Sequence, residues 1–184
     1  MPEESMWQGF FDPEVVLKRL GLSTDCRDVV DFGCGYGTFT IPAARIVRGD
    51  VYALDIETEM IERTRRKAEA ARLRNVMAVQ RDFIAGGSGL PKATVDFAML
   101  FNILHAEERR ALLEEAWRVL VDQGILAVIH WNYDPATPRG PSMEIRPTPE
   151  QCRSWCEAVG FECQSPGRID LPPYHYGFVY LKPP

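Results

Sequence analysis

The sequence predicts an α/β fold, a doubly wound, mostly parallel sheet of seven strands with a reversed last strand. Three observations predict it. Apolar runs of strand length, with little polar alternation, are separated by helical patterns, so both faces of the sheet need helical cover. Acids and other polar residues collect where the early strands end. The final two strand-like runs, FECQSPGRI and YHYGFVYLK, have no helix between them. A parallel pair needs a crossover of about a dozen residues, so these two pair antiparallel.

Each element follows from local chemistry. Asp12 then Pro13 supplies an N-cap acceptor and a proline at the first helical position, and the short helix they open ends near Gly21. Val29-Val30-Asp31-Phe32 is a compact apolar strand running into glycines. A helical pattern covers 39–47, with Pro42 tolerated in its first turn. DVYALDIE is a second strand, ETEMIERTRRKAEAARL a long helix of good helix formers, and NVMAVQRDF a third strand ending on Asp82. After the loop IAGGSGLPKA, VDFAMLFNILH is a fourth strand that runs into polar residues. In EERRALLEEAWRVL, the spacing of Leu112, Leu113, Ala116, Trp117 and Leu120 gives one buried face. Gly124 starts the fifth strand, GILAVIHW, and a proline-rich loop fills 132–147. Thr148, Pro149 and Gln151 set up a capping box for a helix that stops at Gly160.

The 184 residues are enough for one substantial core, so a single domain spanning 1–184 is expected, with 1–27 as an N-terminal arm and helix forming a partial lid. Apolar residues make up 46% and charged residues 26%, a globular mixture. A net charge of −5 argues against a nucleic-acid surface, and no apolar run is long enough to span a membrane. The five cysteines form no CxxC pair, and no secretory pattern opens the chain, so reduced thiols and a cytoplasmic location are expected.

The glycine loop Gly33-Cys34-Gly35-Tyr36-Gly37 is followed by Thr38. Dinucleotide loops favour G-x-G-x-x-G, where the third glycine lets a helix N-terminus approach a pyrophosphate. Here the third glycine comes one residue early. Asp55 closes the second strand, where a carboxylate can accept both hydroxyls of a ribose. Asp82 closes the third, placed for an adenine amino group, with Phe83 to pack on the ring. Asp31 can orient a cationic amine. Three acids at successive strand ends would repel a pyrophosphate and suit a sulfonium-bearing adenosine, S-adenosylmethionine.

These motifs resemble those of the class I S-adenosylmethionine-dependent methyltransferases. VVDFGCGYG looks like their first motif, ALDIE their second, QRDF their third and VDFAMLFNILHAEE their fourth. The resemblance covers essentially the whole chain, and within the family it looks most like the ubiquinone/menaquinone-biosynthesis-type small-molecule group. It implies a Rossmann-like fold and S-adenosylmethionine as cofactor, and no metal-ligand cluster is visible in the sequence. It also implies cofactor contacts from Asp31, Gly33, Cys34, Gly35, Gly37, Asp55, Ile56, Asp82, Phe83 and Asn102, the last beside the methionine portion.

Other features have plainer readings. Cys152, Trp155, Cys156 and Val159 form a helical stripe, read as core packing rather than a thiolate site. The run RTRRKAEAARLR is read as a solvated helix face. PPY at 172–174 lacks the asparagine, and the strand-four position, of the amino-group methyltransferases of nucleobases. His105 follows strand four at the carboxyl edge of the sheet and is the candidate catalytic residue. Phe11, Trp131, Tyr133, Tyr174 and Tyr176 are the candidate acceptor contacts, with Trp7 and Phe10 in the same arm. The acceptor is expected to be a small, partly apolar molecule. Two alternatives stay open: a non-catalytic protein binding S-adenosylmethionine or S-adenosylhomocysteine, and a nicotinamide-dependent oxidoreductase.

Overall fold

The computed structural model describes residues 12–164 and 167–184. Trp7, Phe10 and Phe11 therefore lie outside the described residues. Eight strands form one sheet: β1 (Val29–Phe32), β2 (Val51–Asp55), β3 (Val76–Gln80), β4 (Val95–Phe101), β5 (Leu120–Trp131), β6 (Glu162–Cys163), β7 (Ile169–Leu171) and β8 (His175–Leu181). Their order is β3-β2-β1-β4-β5-β8-β6, with β7 also paired to β8. The first five run parallel, and β8 runs antiparallel to β5, β6 and β7.

Eight strands replace the expected seven because FECQSPGRI is not continuous. It meets β8 as two short segments, Glu162 opposite Leu181 and Ile169 opposite Gly177. Between them the Gly167 N–H donates to the Gln164 carbonyl at 2.8 Å, and Gly167 has φ +87°. The left-handed backbone at Gly167 does not fit the ladder.

The helices are α1 (Pro13–Arg19), α2 (Thr40–Ile46), α3 (Thr58–Ala70), α4 (Arg109–Val119) and α5 (Pro149–Val159). Asp12 caps α1 by accepting from the Val15 N–H, and Pro13 takes its first turn. Thr148 and Gln151 close the capping box of α5, which ends at left-handed Gly160. Alternation along the strands splits the core between two faces. Val30, Phe32, Leu100, Leu126 and Val128 pack with Leu112, Leu113 and Ala116 of α4 and with Cys152 and Cys156 of α5. Val29, Val51, Phe97, Met99, Ala127 and Ile129 pack with Val16, Leu17 and Leu20 of α1 and with Ala43 and Ala44 of α2. Cys34, Ala53 and Ala78 pack with Ile61 of α3. The sheet is therefore covered on both sides, as the unalternated strands require. Each fully buried leucine contributes about 1.5–3 kcal/mol.

On α3 the basic run is accounted for locally. Arg63 and Arg66 pair with Glu59 and Glu62 one turn back, Arg65 donates to the Ala78 carbonyl, and Lys67 to the Tyr36 carbonyl. No helix among the described residues is long and apolar enough to cross a membrane.

Candidate cofactor and acceptor site

The strand order reverses between β1 and β4, and a crevice at such a switch point is where open α/β sheets bind ligands. A cavity of about 480 Å³ opens there. Its lining includes Asp31, Gly33, Cys34, Gly35, Asp55, Ile56, Asp82, Phe83, Asn102 and His105. Nine of the ten expected cofactor residues and the candidate catalytic histidine thus share one space. The tenth, Gly37, faces a second, more open concavity beside α1 and α2.

The loop after β1 is held by backbone geometry and by its neighbours. Gly33 and Cys34 both donate to the Leu54 carbonyl, at 2.8 and 2.9 Å. Thr64 of α3 donates to the Gly35 carbonyl at 3.0 Å. Gly33 and Gly37 have φ +75° and +71°, and a Cβ on them would stand 3.0 Å from Ile103 and 2.9 Å from Thr64. Glycine is needed at both for conformation and for space.

Asp55 is more than a strand-end acid. One carboxylate oxygen accepts from the Gly35 N–H at 2.9 Å and the other from the Glu57 N–H at 3.0 Å. It therefore joins the glycine loop to the start of α3 while still lining the cavity. Asp82 is exposed, and one of its oxygens accepts from Ile84 and Ala85 N–H, an Asx turn that leaves the other oxygen available. Phe83 is buried edge-on against Phe32, whereas Ile56 is 58% exposed on the cavity rim.

Asp31 is buried, with Thr40 donating to it at 2.6 Å. Burial raises its carboxyl from the ordinary 3.8 to about 7, against the Thr40 hydrogen bond and with the Asp55 charge adding to the rise. A buried acid poised in this way suits a cationic partner.

Asn102 has φ +57°, unusual for a residue with a side chain, and its Oδ1 is buried without a hydrogen-bond partner. An orphaned acceptor lining the cavity invites a donor from a ligand. Ammonium and ribose hydroxyl donors, an adenine edge and an apolar ring face together match this set, so the residues present fit S-adenosylmethionine.

His105 is half-buried, and burial lowers its proton affinity. Behind it stands His130, with ring centroids 5.8 Å apart. The acceptor contacts expected from sequence do not gather around His105. Tyr176 is fully buried, with its hydroxyl donating to the Pro147 carbonyl and touching the Cys152 sulfur. This corrects its expected role: period-two alternation puts it on the core face with Phe178 and Tyr180. Trp131 is also buried, packed at 4.1 Å against His175 on the opposite face from His130. Tyr133 is exposed in the loop after β5, and Tyr174 is half-buried, its carbonyl accepting from the Asn132 N–H. Neither lines the cavity. Sequence reasoning passed over Arg146, which organises loop 132–147; only its isolation as a cation in a proline-rich stretch could have signalled it. Among the described residues no cluster of three or more metal-ligating side chains is present.

The doubly wound sheet, the reversed strand and the acid-lined glycine crevice define an S-adenosylmethionine-binding fold of the methyltransferase kind. A family model described as a methyltransferase domain matches residues 29–124, more than half of the chain. The chain belongs to this family, the class I S-adenosylmethionine-dependent methyltransferases. A crystal structure of a SAM-dependent methyltransferase from Aquifex aeolicus superposes with a TM-score of 0.86 at 28% identity, covering 98% of this chain and 94% of that one. Aklanonic acid methyltransferase DauC of Streptomyces sp. (strain C5) is 38% identical over 73 residues, 39% of this chain and 32% of that protein's length. The [4+2]-cyclase SpnF shares the fold, with a TM-score of 0.78 at 17% identity over 93% of this chain and 79% of that one. The fold alone therefore does not fix the chemistry.

Proposed function

We propose that this chain transfers a methyl group from S-adenosylmethionine to a small, partly apolar acceptor. One observation carries the reading: a single cavity joins the strand-end acids Asp31, Asp55 and Asp82 to Asn102 and His105. Asp55 holds the ribose hydroxyls, Asp82 and Phe83 the adenine, Ile56 covers the ring, and Asp31 and Asn102 take the amino-acid portion. The glycine loop allows close approach at Gly33, Cys34 and Gly35, while Gly37 acts by letting the loop pass α3. When bound, S-adenosylmethionine supplies an already activated methyl group on its sulfonium. The work left to this chain is positioning and exclusion of water. His105 is the side chain that touches the acceptor.

The chain forms a single domain, with Tyr133 and Tyr174 at the acceptor entrance. The similar Streptomyces protein is named for aklanonic acid, which supports a small-molecule acceptor. A cytoplasmic location belongs to the same proposal.

The test is calorimetric titration with S-adenosylmethionine, S-adenosylhomocysteine and NADH, repeated on Asp55→Ala. Micromolar binding of the two adenosyl ligands, at least tenfold weaker in the variant, is expected; the lost hydrogen bonds are each worth about 1.5 kcal/mol or more. Binding of NADH alone would overturn the proposal.

A further inference from the structure

Beyond the strand-end acids of β1, β2 and β3, the ends of β4 and β5 bring two histidines together. His105, in the turn after β4, lines the cavity, and its Nδ1 is buried without a hydrogen-bond partner. Nε2 is therefore the nitrogen left to meet a ligand. His130, near the end of β5, does not reach the cavity. It is fully buried and edge-on to His105, with ring centroids 5.8 Å apart and planes at 82°. Neither of its ring nitrogens has a hydrogen-bond partner. The Trp131 backbone favours a proton on it, but without a hydrogen bond of ordinary length and angle. Tyr176, its partner across the β5–β8 ladder, directs its hydroxyl to the Pro147 carbonyl instead.

Packing alone does not account for His130. An apolar ring would fill the same space without stranding two polar nitrogens, and stranded polar groups are costly. The protonated nitrogen and the orientation of an imidazole are set by the hydrogen bond that its inner nitrogen makes, ordinarily to a carboxylate or a backbone carbonyl. Neither pairs with the Nδ1 of His105, and the polar side chain packed behind that ring is His130. The span between the rings is just beyond a direct hydrogen bond and suits one buried water with polar partners on both sides. His130 keeps a lone pair for such a bond. Its burial and the groups that act on it, His105 after β4, His175 on β8 and Arg146 in loop 132–147, all disfavour a second proton.

We propose that His130 is the positioning residue of His105: through one buried water it accepts from the His105 Nδ1–H, and so leaves a bare Nε2 facing the methyl acceptor. This rests on the acceptor contact proposed for His105 above. Free imidazole prefers its proton on Nε2, so an acceptor on the inner side is what reverses the preference. The bare Nε2 then accepts from an O–H or N–H of the methyl acceptor and holds that group in place, the positioning on which methyl transfer depends. Burial lowers the proton affinity of His105, so it orients the acceptor and does not strip its proton.

The chain has three histidines, so their imidazole nitrogen signals can be assigned by substituting each in turn. Long-range 1H–15N NMR of the full chain at neutral pH, with and without S-adenosylhomocysteine, reads which nitrogen of His105 carries the proton. In the wild type the proton is expected on Nδ1, with Nε2 bare. His130→Phe fills the space without offering a lone pair, and should lose that tautomer in favour of Nε2–H. His130→Gln, which returns an acceptor, should restore it. A His130 that serves only packing would leave the His105 tautomer unchanged in His130→Phe, and that result would overturn the proposal. So would a wild-type His105 protonated on Nε2, a measurement that needs no variant to fold. Calorimetry follows S-adenosylhomocysteine separately: a chain with the expected tautomer that does not bind it would overturn the transferase reading and leave the coupling of the two histidines standing.

Discussion

Asp31→Asn is expected to make the protein more stable and a worse binder of its cofactor. The folded chain keeps the Asp31 proton up to about pH 7, the unfolded chain only to about 3.8. Between those values the folded state holds more protons, so wild-type stability falls as pH rises through that window. Asparagine has no such proton and can still accept from the Thr40 hydroxyl. One pH unit of difference corresponds to about 1.4 kcal/mol, and about two units of the window lie between pH 5 and pH 7. The stability gap in favour of Asp31→Asn should therefore widen by about 2–3 kcal/mol between roughly pH 5 and pH 8. Urea unfolding of both proteins at the two pH values, without cofactor, reads this directly. Titration with S-adenosylmethionine should show the variant binding at least tenfold more weakly, because the carboxylate is placed for a cationic amine. A stability gap that does not change with pH would refute the reasoning.

Glu115 shows the opposite sign. Burial alone would push its carboxyl up, but hydrogen bonds from Arg118, the Ser88 hydroxyl and the Ser88 N–H outweigh it and hold it at about 2, below the ordinary 4.5. That stabilisation is present above about pH 4.5 and lost as pH falls towards 2, so Glu115→Gln should cost about 2–3 kcal/mol at neutral pH and nearly nothing near pH 2, read by chemical denaturation. Gly37→Ala forces a side chain into a left-handed conformation and sets its Cβ 2.9 Å from the buried Thr64 hydroxyl. The expected loss is about 2–4 kcal/mol in thermal melts, and an unchanged melt would mean that the loop yields freely. With iodoacetamide, half-exposed Cys163 should react first among the five thiols; peptide mapping that finds Cys152 or Cys156 equally fast would contradict their packing in the core.

The parts legible in the sequence are those whose cause is local. Asp12-Pro13, the Thr148–Gln151 capping box and the Leu112–Ala116 stripe each specify their helix within a few residues, and each is seen. The glycine loop and the strand-end acids were readable for the same reason, since β1, β2 and β3 deliver them to one edge. The break between β6 and β7 was not, because the left-handed Gly167 competes with strand propensity and only the partner β8 decides. The start of β5 was missed for a similar reason. Leu120 already pairs with Val95, and Gln123, at φ +64°, is held by its N–H to the Lys182 carbonyl. On the acceptor side, the environment of His130 and Arg146 is set by contacts between β5, β8 and loop 132–147, which no window of sequence contains. Tyr176 was misplaced because a cluster of aromatics does not announce which member alternation sends inward.

The position of β8 has a consequence for synthesis. It lies between β5 and the pair β6/β7, contributing seven residue pairs to β5 and all of the sheet pairing of β6 and β7. Until residues 175–181 have left the ribosome, the outer edge of β5 is unpaired and two earlier strands have no place to dock. The nascent chain can settle β1–β5 and their helices early, but it carries an open edge of Leu126, Val128 and their neighbours through the rest of translation. Such an edge is a template for wrong pairing. The half of the sheet that holds the glycine loop can thus mature well before the half that holds His130 and His175.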